Sequence, residues 1–270
     1  MKRIVLTLIV AVALLIAVDC AAAATAEYQV STRMREQLAL DQDPAVRVTG
    51  FPFLTQALAG DYRKVEVSAE RVNVGVLHNL IIRAELYHVR MPAKDVLSGN
   101  VHGLTIDEAQ GTVLVTKDDL IRELPGVAKL RIEPVDAGTL DQAKQYAENA
   151  APGSSVSDID PDSAVRLLGT TSVLGQRLNV SVIAVLRLID GQIQITPKDI
   201  RVGTGGDATR LPRVVQSGLS SLFTVRLNPG ALPFSITPTS LRAVDNALQV
   251  SGSARDIVIG EPANGKNAGP

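Results

Sequence analysis

Three histidines, His78, His88 and His102, are the side chains best suited to proton transfer or metal binding near neutral pH. Their separations of 10 and 14 residues give no pair one helical turn apart, the geometry a zinc-binding helix needs. They read as ordinary strand or turn positions. None of the carboxylates stands in an apolar run that would raise its pKa for acid catalysis, and Asp118-Asp119 fits the acidic first turn of a helix. The patterns G-x-S-x-G, H-E-x-x-H, G-x-x-x-x-G-K-[ST] and G-x-G-x-x-G do not occur. Gly203-Thr204-Gly205-Gly206 lacks the lysine and hydroxyl of a phosphate-cradling loop and reads as a surface loop. Asn179-Val180-Ser181 matches a glycosylation sequon inside a strand-like stretch. One cysteine, Cys20, excludes a disulfide framework and a multi-cysteine metal site. The expectation is a protein without catalytic residues, metal or cofactor.

The scarce aromatics are more informative. Aromatic residues make up 3% of the chain, with no Trp. Phe51 and Phe53 flank Pro52, Phe223 ends a late helix-like stretch, and Phe234 follows Pro233. Leu54, Leu58, Leu219, Leu222 and Leu227 accompany them at spacings suited to inward-facing positions. These residues either line an apolar cavity or form plain core. An aliphatic cavity poor in aromatics suits flexible acyl chains better than rings or sugars, and each buried CH₂ contributes about 0.8 kcal/mol. Arg63 and Lys64 are candidates to meet a phosphate, with solvated strand-edge charges the preferred reading.

Bulk composition narrows the partners. The chain has 270 residues, 46% hydrophobic and 20% charged, so a large core is available and wholesale disorder is excluded. With 27 basic and 28 acidic residues, net −1, it lacks the basic excess that holds proteins to nucleic acid. Residues 1–26 carry Lys2, Arg3 and Asp19; without them 25 basic and 27 acidic residues remain, net −2.

Elements that position these residues follow from the hydrophobic pattern. Lys2 and Arg3 precede an apolar run over residues 4–18, broken only by Thr7, and then Asp19, Cys20 and an alanine-rich stretch. Small residues with A-x-A spacing, Ala22 and Ala24, fit a secretory signal peptide. With the alanines counted, the run approaches the roughly 20 residues of a spanning helix, so a retained anchor through residues 4–26 is the alternative. Asp19 fits poorly before a lipid-modified Cys20, which reads as an incidental thiol. The organisation expected is signal or anchor over 1–26, a body over 27–260 and a disordered tail over 261–270.

In the body, residues 28–40 have helical periodicity and residues 54–59 give a short helix closed by Gly60. From Tyr62 the period becomes two, with Val65, Val67 and Ala69 on one face and a shift at Glu70-Arg71 that resembles a bulge. A hairpin is expected at Ala109-Gln110-Gly111. A helix capped by Thr116 follows over residues 117–124, then a strand over 129–135 and a helix over 141–150. Strands are expected over 178–189 and 192–196 around Asp190-Gly191, a helix over 211–223, and strands over 232–237, 241–244 and 247–259. The fold class expected is α+β: an elongated, strongly twisted antiparallel sheet wrapped around a few helices, with an apolar trough.

The stretch Gly50-Phe51-Pro52-Phe53-Leu54-Thr55-Gln56-Ala57-Leu58-Ala59-Gly60, followed by Tyr62-Arg63-Lys64-Val65-Glu66-Val67, resembles the LmeA family of actinobacterial cell-envelope proteins. The resemblance continues in Gly111-Thr112-Val113-Leu114-Val115 with Asp119-Leu120, in Leu232-Pro233-Phe234, and in Leu248-Gln249-Val250-Ser251-Gly252-Ser253-Ala254. It implies a tubular lipid-binding fold like that of bactericidal/permeability-increasing protein, and an exported, periplasmic or envelope-associated protein. It further implies phospholipid, with phosphatidylinositol-type lipids as the expected ligand, and a role in lengthening lipid-anchored mannan. An envelope scaffold that assists a membrane glycosyltransferase without holding lipid is the competing expectation, and an envelope mannosyltransferase is a candidate partner.

Overall fold

The computed structural model describes residues 2–92, 94–95, 104–124, 126–138, 140–141, 159–173, 176–189, 192–203, 209–210, 223–227 and 237–259. In chain order, helix α1 spans Lys2–Leu38, strand β1 Ala45–Thr49, α2 Phe53–Ala59, β2 Asp61–Val74, β3 Leu77–Arg90, β4 Leu104–Thr116 and α3 Lys117–Glu123. There follow β5 Val127–Pro134, a 3-10 turn Pro161–Ser163, β6 Ala164–Val173, β7 Gln176–Ile189, β8 Gln192–Val202 and β9 Thr209–Arg210. The last strands are β10 Val225–Leu227, β11 Thr237–Val244 and β12 Ala247–Ile259.

All the pairings among the described residues are antiparallel. One sheet has the order β1-β2-β3-β4-β12-β11, and a second has the order β10-β8-β7-β6-β5 with β9 beside β8. The chain crosses between them twice: α3 leads from β4 into β5, and β11–β12 return to the first sheet. The expected antiparallel α+β architecture is therefore present, with the first sheet strongly curled into a half-barrel. At 14 residues each, β2 and β3 run about 46 Å, more than twice an ordinary strand.

The curl has a local cause. In β3, Ala84 and Leu86 are buried, then two consecutive residues, Tyr87 and His88, face out before Val89 is buried. The paired strands change parity in the same place: Arg63-Lys64 in β2, Asp107-Glu108 in β4 and Arg255-Asp256 in β12. His88 and Asp256 take positive φ there, 49° and 52°. Register is unchanged on either side, so four strands bend together along one line. The outward residues of that line pair in water: Lys64 with Glu66 and Glu85, Arg90 with Asp107, and Arg255 with Glu108. A second irregularity, at Arg71 (φ 54°), is the bulge expected between Ala69 and Val72.

At the far end of the sheet α3 is pinned by its own first turn. Asp119, 1% exposed, accepts hydrogen bonds from the backbone N–H of His78 (2.9 Å) and Asn79 (3.2 Å) and from Arg122 (2.9 Å). Thr116 has the extended backbone of a cap, but its hydroxyl donates to Asp119 rather than bonding the helix backbone. Leu77, Leu80, Leu120 and Leu124 close the core beneath it, which continues through Val113, Ile132, Leu167, Val182, Ile193 and Phe223 between the two sheets. A smaller cluster gathers Val135, Leu140, Ile159, Ala164, Ile183 and Val185.

Three local expectations change. The hairpin at Ala109-Gln110-Gly111 is absent, and β4 runs straight through it. Ala109 and Gly111 stand opposite Ala254 and Gly252 on the neighbouring strand. The helix expected from residue 28 is the last part of a single 37-residue helix that includes the apolar run and crosses residue 26 unbroken. The return strand after residue 192 extends to Val202. The helix expected over 211–223 lies outside the described residues except for Phe223, as do most of the helix over 141–150, the strand over 232–237 up to residue 236, and the tail.

Candidate functional site

The segment from Gly50 to Gly60 forms a braced tip at one end of the curled sheet. Gly50 has φ +116°, a conformation side chains resist, and its carbonyl accepts a hydrogen bond from Gln56 Nε2 at 2.7 Å. Gln56 is 4% exposed, and its Oε1 accepts from the backbone N–H of Arg63 at 3.0 Å, so one amide ties the loop to β2. Gly60 closes α2 in the left-handed conformation, φ 66°, and its carbonyl accepts from Met91 N–H at 2.9 Å.

The N-terminus of α2 is capped from another helix. Asp19 of α1, 5% exposed, accepts from Phe53 N–H through Oδ2 and from Leu54 N–H through Oδ1, both at 2.8 Å. Two orphan helix donors are thereby satisfied by one carboxylate. Below that contact α1 lies along the sheet edge. Ala22, Ala23 and Ala26 pack against the core. Glu27 accepts from Val48 N–H of the edge strand at 2.7 Å, and the Ser31 hydroxyl donates to the Pro44 carbonyl. Above it, residues 4–18 stand clear of the body, with Ile4, Leu8, Leu14 and Leu15 all more than 60% exposed.

The residues singled out in the sequence divide between surface and core. Phe53 is buried and meets Tyr62 with ring centroids 6.1 Å apart; burial raises the Tyr62 pKa. Phe223 and Leu227 are buried between the sheets. Phe51, Leu54 and Leu58 face outward from the tip, 61%, 39% and 89% exposed. Leu219, Leu222 and Phe234 lie outside the described residues. Lys64 is engaged by Glu66 (2.8 Å) and Glu85 (3.0 Å), which raise its pKa, and stands 5.7 Å over the Tyr87 ring. Arg63 is exposed beside the tip.

A second feature, on the inner face, has no signature in the local sequence. Successive inward rows across β2, β3, β4 and β12 are Tyr62–Val89–Ile106–Ile257, Val65–Leu86–Ala109–Ala254, Val67–Ala84–Gly111–Gly252 and Ala69–Ile82–Val113–Val250. On β4 and β12 the two middle rows hold only alanine and glycine, while the rows on either side are bulky. Side-chain volume therefore falls in the middle of the curl. Gly111 and Gly252 are register partners 141 positions apart, and both belong to the stretches that carried the family resemblance. Their proximity has no local sequence signal; only the long-range pairing reveals it.

The chemistry of this arrangement is that of apolar contact. Among the described residues no three His, Cys, Asp or Glu side chains gather to hold a metal ion. The inward rows of the first sheet carry apolar groups, Tyr62 among them, and the ion pairs of Lys64 and Arg90 lie on its outer side. Compared with known proteins, the chain matches the family model described as LmeA-like phospholipid-binding over residues 17–253. No curated protein and no solved structure gives a significant match. The matched span takes in Asp19, the braced tip, both glycines of the inner face and nearly all of the two sheets, and the chain belongs to the LmeA-like phospholipid-binding family.

Proposed function

We propose that the protein is a non-enzymatic phospholipid carrier of the cell envelope that holds acyl chains along the inner face of its curled sheet. The observation that carries this reading is the family match, together with an apolar inner face whose middle rows are reduced on β4 and β12 to Ala109, Gly111, Gly252 and Ala254. Phe53, Phe223 and Leu227 belong to the apolar interior that such chains would meet, with Leu219, Leu222 and Phe234 as further wall candidates; Phe51, Leu54 and Leu58 stand at its outer end. Burial of a dozen methylenes at about 0.8 kcal/mol each supplies affinity without a charged clamp. Phosphatidylinositol-type lipids are the proposed cargo, and support of lipid-anchored mannan elongation beside an envelope mannosyltransferase is the proposed role.

Native mass spectrometry of the gently extracted full chain tests it. The expected result is a copurifying phospholipid whose fragments identify an inositol headgroup. A lipid-free protein that takes up no added phospholipid sinks the carrier reading.

A further inference from the structure

We infer that α1 is retained as a membrane anchor and that Phe51, Leu54 and Leu58 dock the tip of the body into the bilayer surface beside it. Two independent observations meet here. First, the A-x-A stretch that resembles a cleavage site is structural: Ala22, Ala23 and Ala26 pack on the body, and cleavage after Ala24 would remove Asp19, the cap of α2. Second, the apolar run that ends at Asp19 has 15 residues, about 22 Å of helix against a hydrocarbon layer of roughly 30 Å. A span that short draws its flanking residues toward the hydrocarbon boundary. What flanks it is the tip, because Asp19 holds α2 at that point.

The three exposed apolar side chains of the tip are therefore set at headgroup depth, where apolar groups gain from leaving water. The Asp19 carboxylate, satisfied by two backbone N–H groups, tolerates that position. Exposed Arg63 adjoins the tip and suits lipid phosphates. Lys2 and Arg3 lie at the opposite end of the span, the arrangement of an anchor with its N-terminus in the cytoplasm. The far end of the sheet, at Val76, stands about 46 Å away along β2.

The absence of tryptophan makes the test direct. The full chain carrying Leu58→Trp, and separately Val76→Trp, is expressed with its native export, and its intact mass is read. It is then reconstituted in vesicles of phosphatidylcholine and phosphatidylglycerol. We expect residues 2–24 to be present and the indole emission of the Leu58→Trp chain to be blue-shifted. Quenching of that emission by aqueous iodide should be several-fold weaker than in the Val76→Trp chain. A mature chain beginning after Ala24, or equal iodide quenching in the two chains, overturns the proposal. In a Phe51→Trp chain, adding Leu54→Asp and Leu58→Asp is expected to restore iodide access. Iodide quenching that stays low in this variant overturns the docking.

Discussion

Asp19 and Phe53 stand 34 residues apart, in different helices, and meet through a 2.8 Å hydrogen bond from the Phe53 backbone N–H. Since the same carboxylate also takes the Leu54 N–H, Asp19→Ala removes two charge-assisted bonds and leaves two donors without a partner at a buried helix start. The expected loss is about 2–3 kcal/mol. Asp19→Asn, which keeps an acceptor oxygen, should lose less. Thermal unfolding of the full chain in mild detergent, followed by circular dichroism, measures both; an unchanged midpoint in Asp19→Ala would remove the cap from the account.

Gly50 and Gln56 form a coupled pair. A Cβ at Gly50 would lie 3.0 Å from Gln56 Nε2 and sit on a backbone with φ +116°. Gly50→Ala should cost about 1–3 kcal/mol, and Gln56→Ala, which frees the Gly50 carbonyl and the Arg63 N–H, a similar amount. Combined, they should cost less than their sum, because the second substitution removes the clash of the first. Additive denaturation midpoints would count against the contact.

At the other end of the sheet, Asp119→Ala leaves the His78 and Asn79 N–H groups without their acceptor, at a cost of about 2–4 kcal/mol. Hydrogen exchange gives the local signature: amides 78 and 79 should lose protection more than the β4 amides. Uniform loss across the sheet would show that the effect is global and not specific to this brace.

The Glu85 carboxyl is held below its ordinary pKa, first by the Tyr87 hydroxyl and then by Lys64. A depressed carboxylate stabilises the fold above its unfolded pKa, and that contribution disappears as pH falls through the folded value. Glu85 is half exposed, so the effect is small. Tyr87→Phe should move the Glu85 titration back toward ordinary glutamate, read by NMR of the labelled carboxyl. The raised Lys64 pKa works oppositely: its contribution is complete below the unfolded lysine value and is lost as pH rises through the folded one.

Strand periodicity was the legible part of the fold. The last strand, residues 247–259, has the boundaries expected, as does the turn at Asp245-Asn246. The Glu70-Arg71 shift and the Gly60 cap also stood in the sequence, because each is a local conformational demand. Gly111 misleads for a physical reason: a glycine after Ala109-Gln110 signals a turn locally, whereas here it faces Gly252 on the neighbouring strand. Asp19 reads locally as a poor neighbour for a lipid-modified Cys20, yet its role is set by a helix 34 residues downstream. Of the tip, sequence pattern marks the short helix and its Gly60 cap but not which side chains turn outward, since that depends on how α2 is clamped.

The bend shared by β2, β3, β4 and β12 has a consequence for how this fold tolerates insertion and deletion. Each strand must place two consecutive residues on the solvent side in the same row, so removing one residue from a single strand would turn half of its greasy side chains into water. Length can be gained or lost at the strand tips, or in all four strands at once, but not in the middle of one.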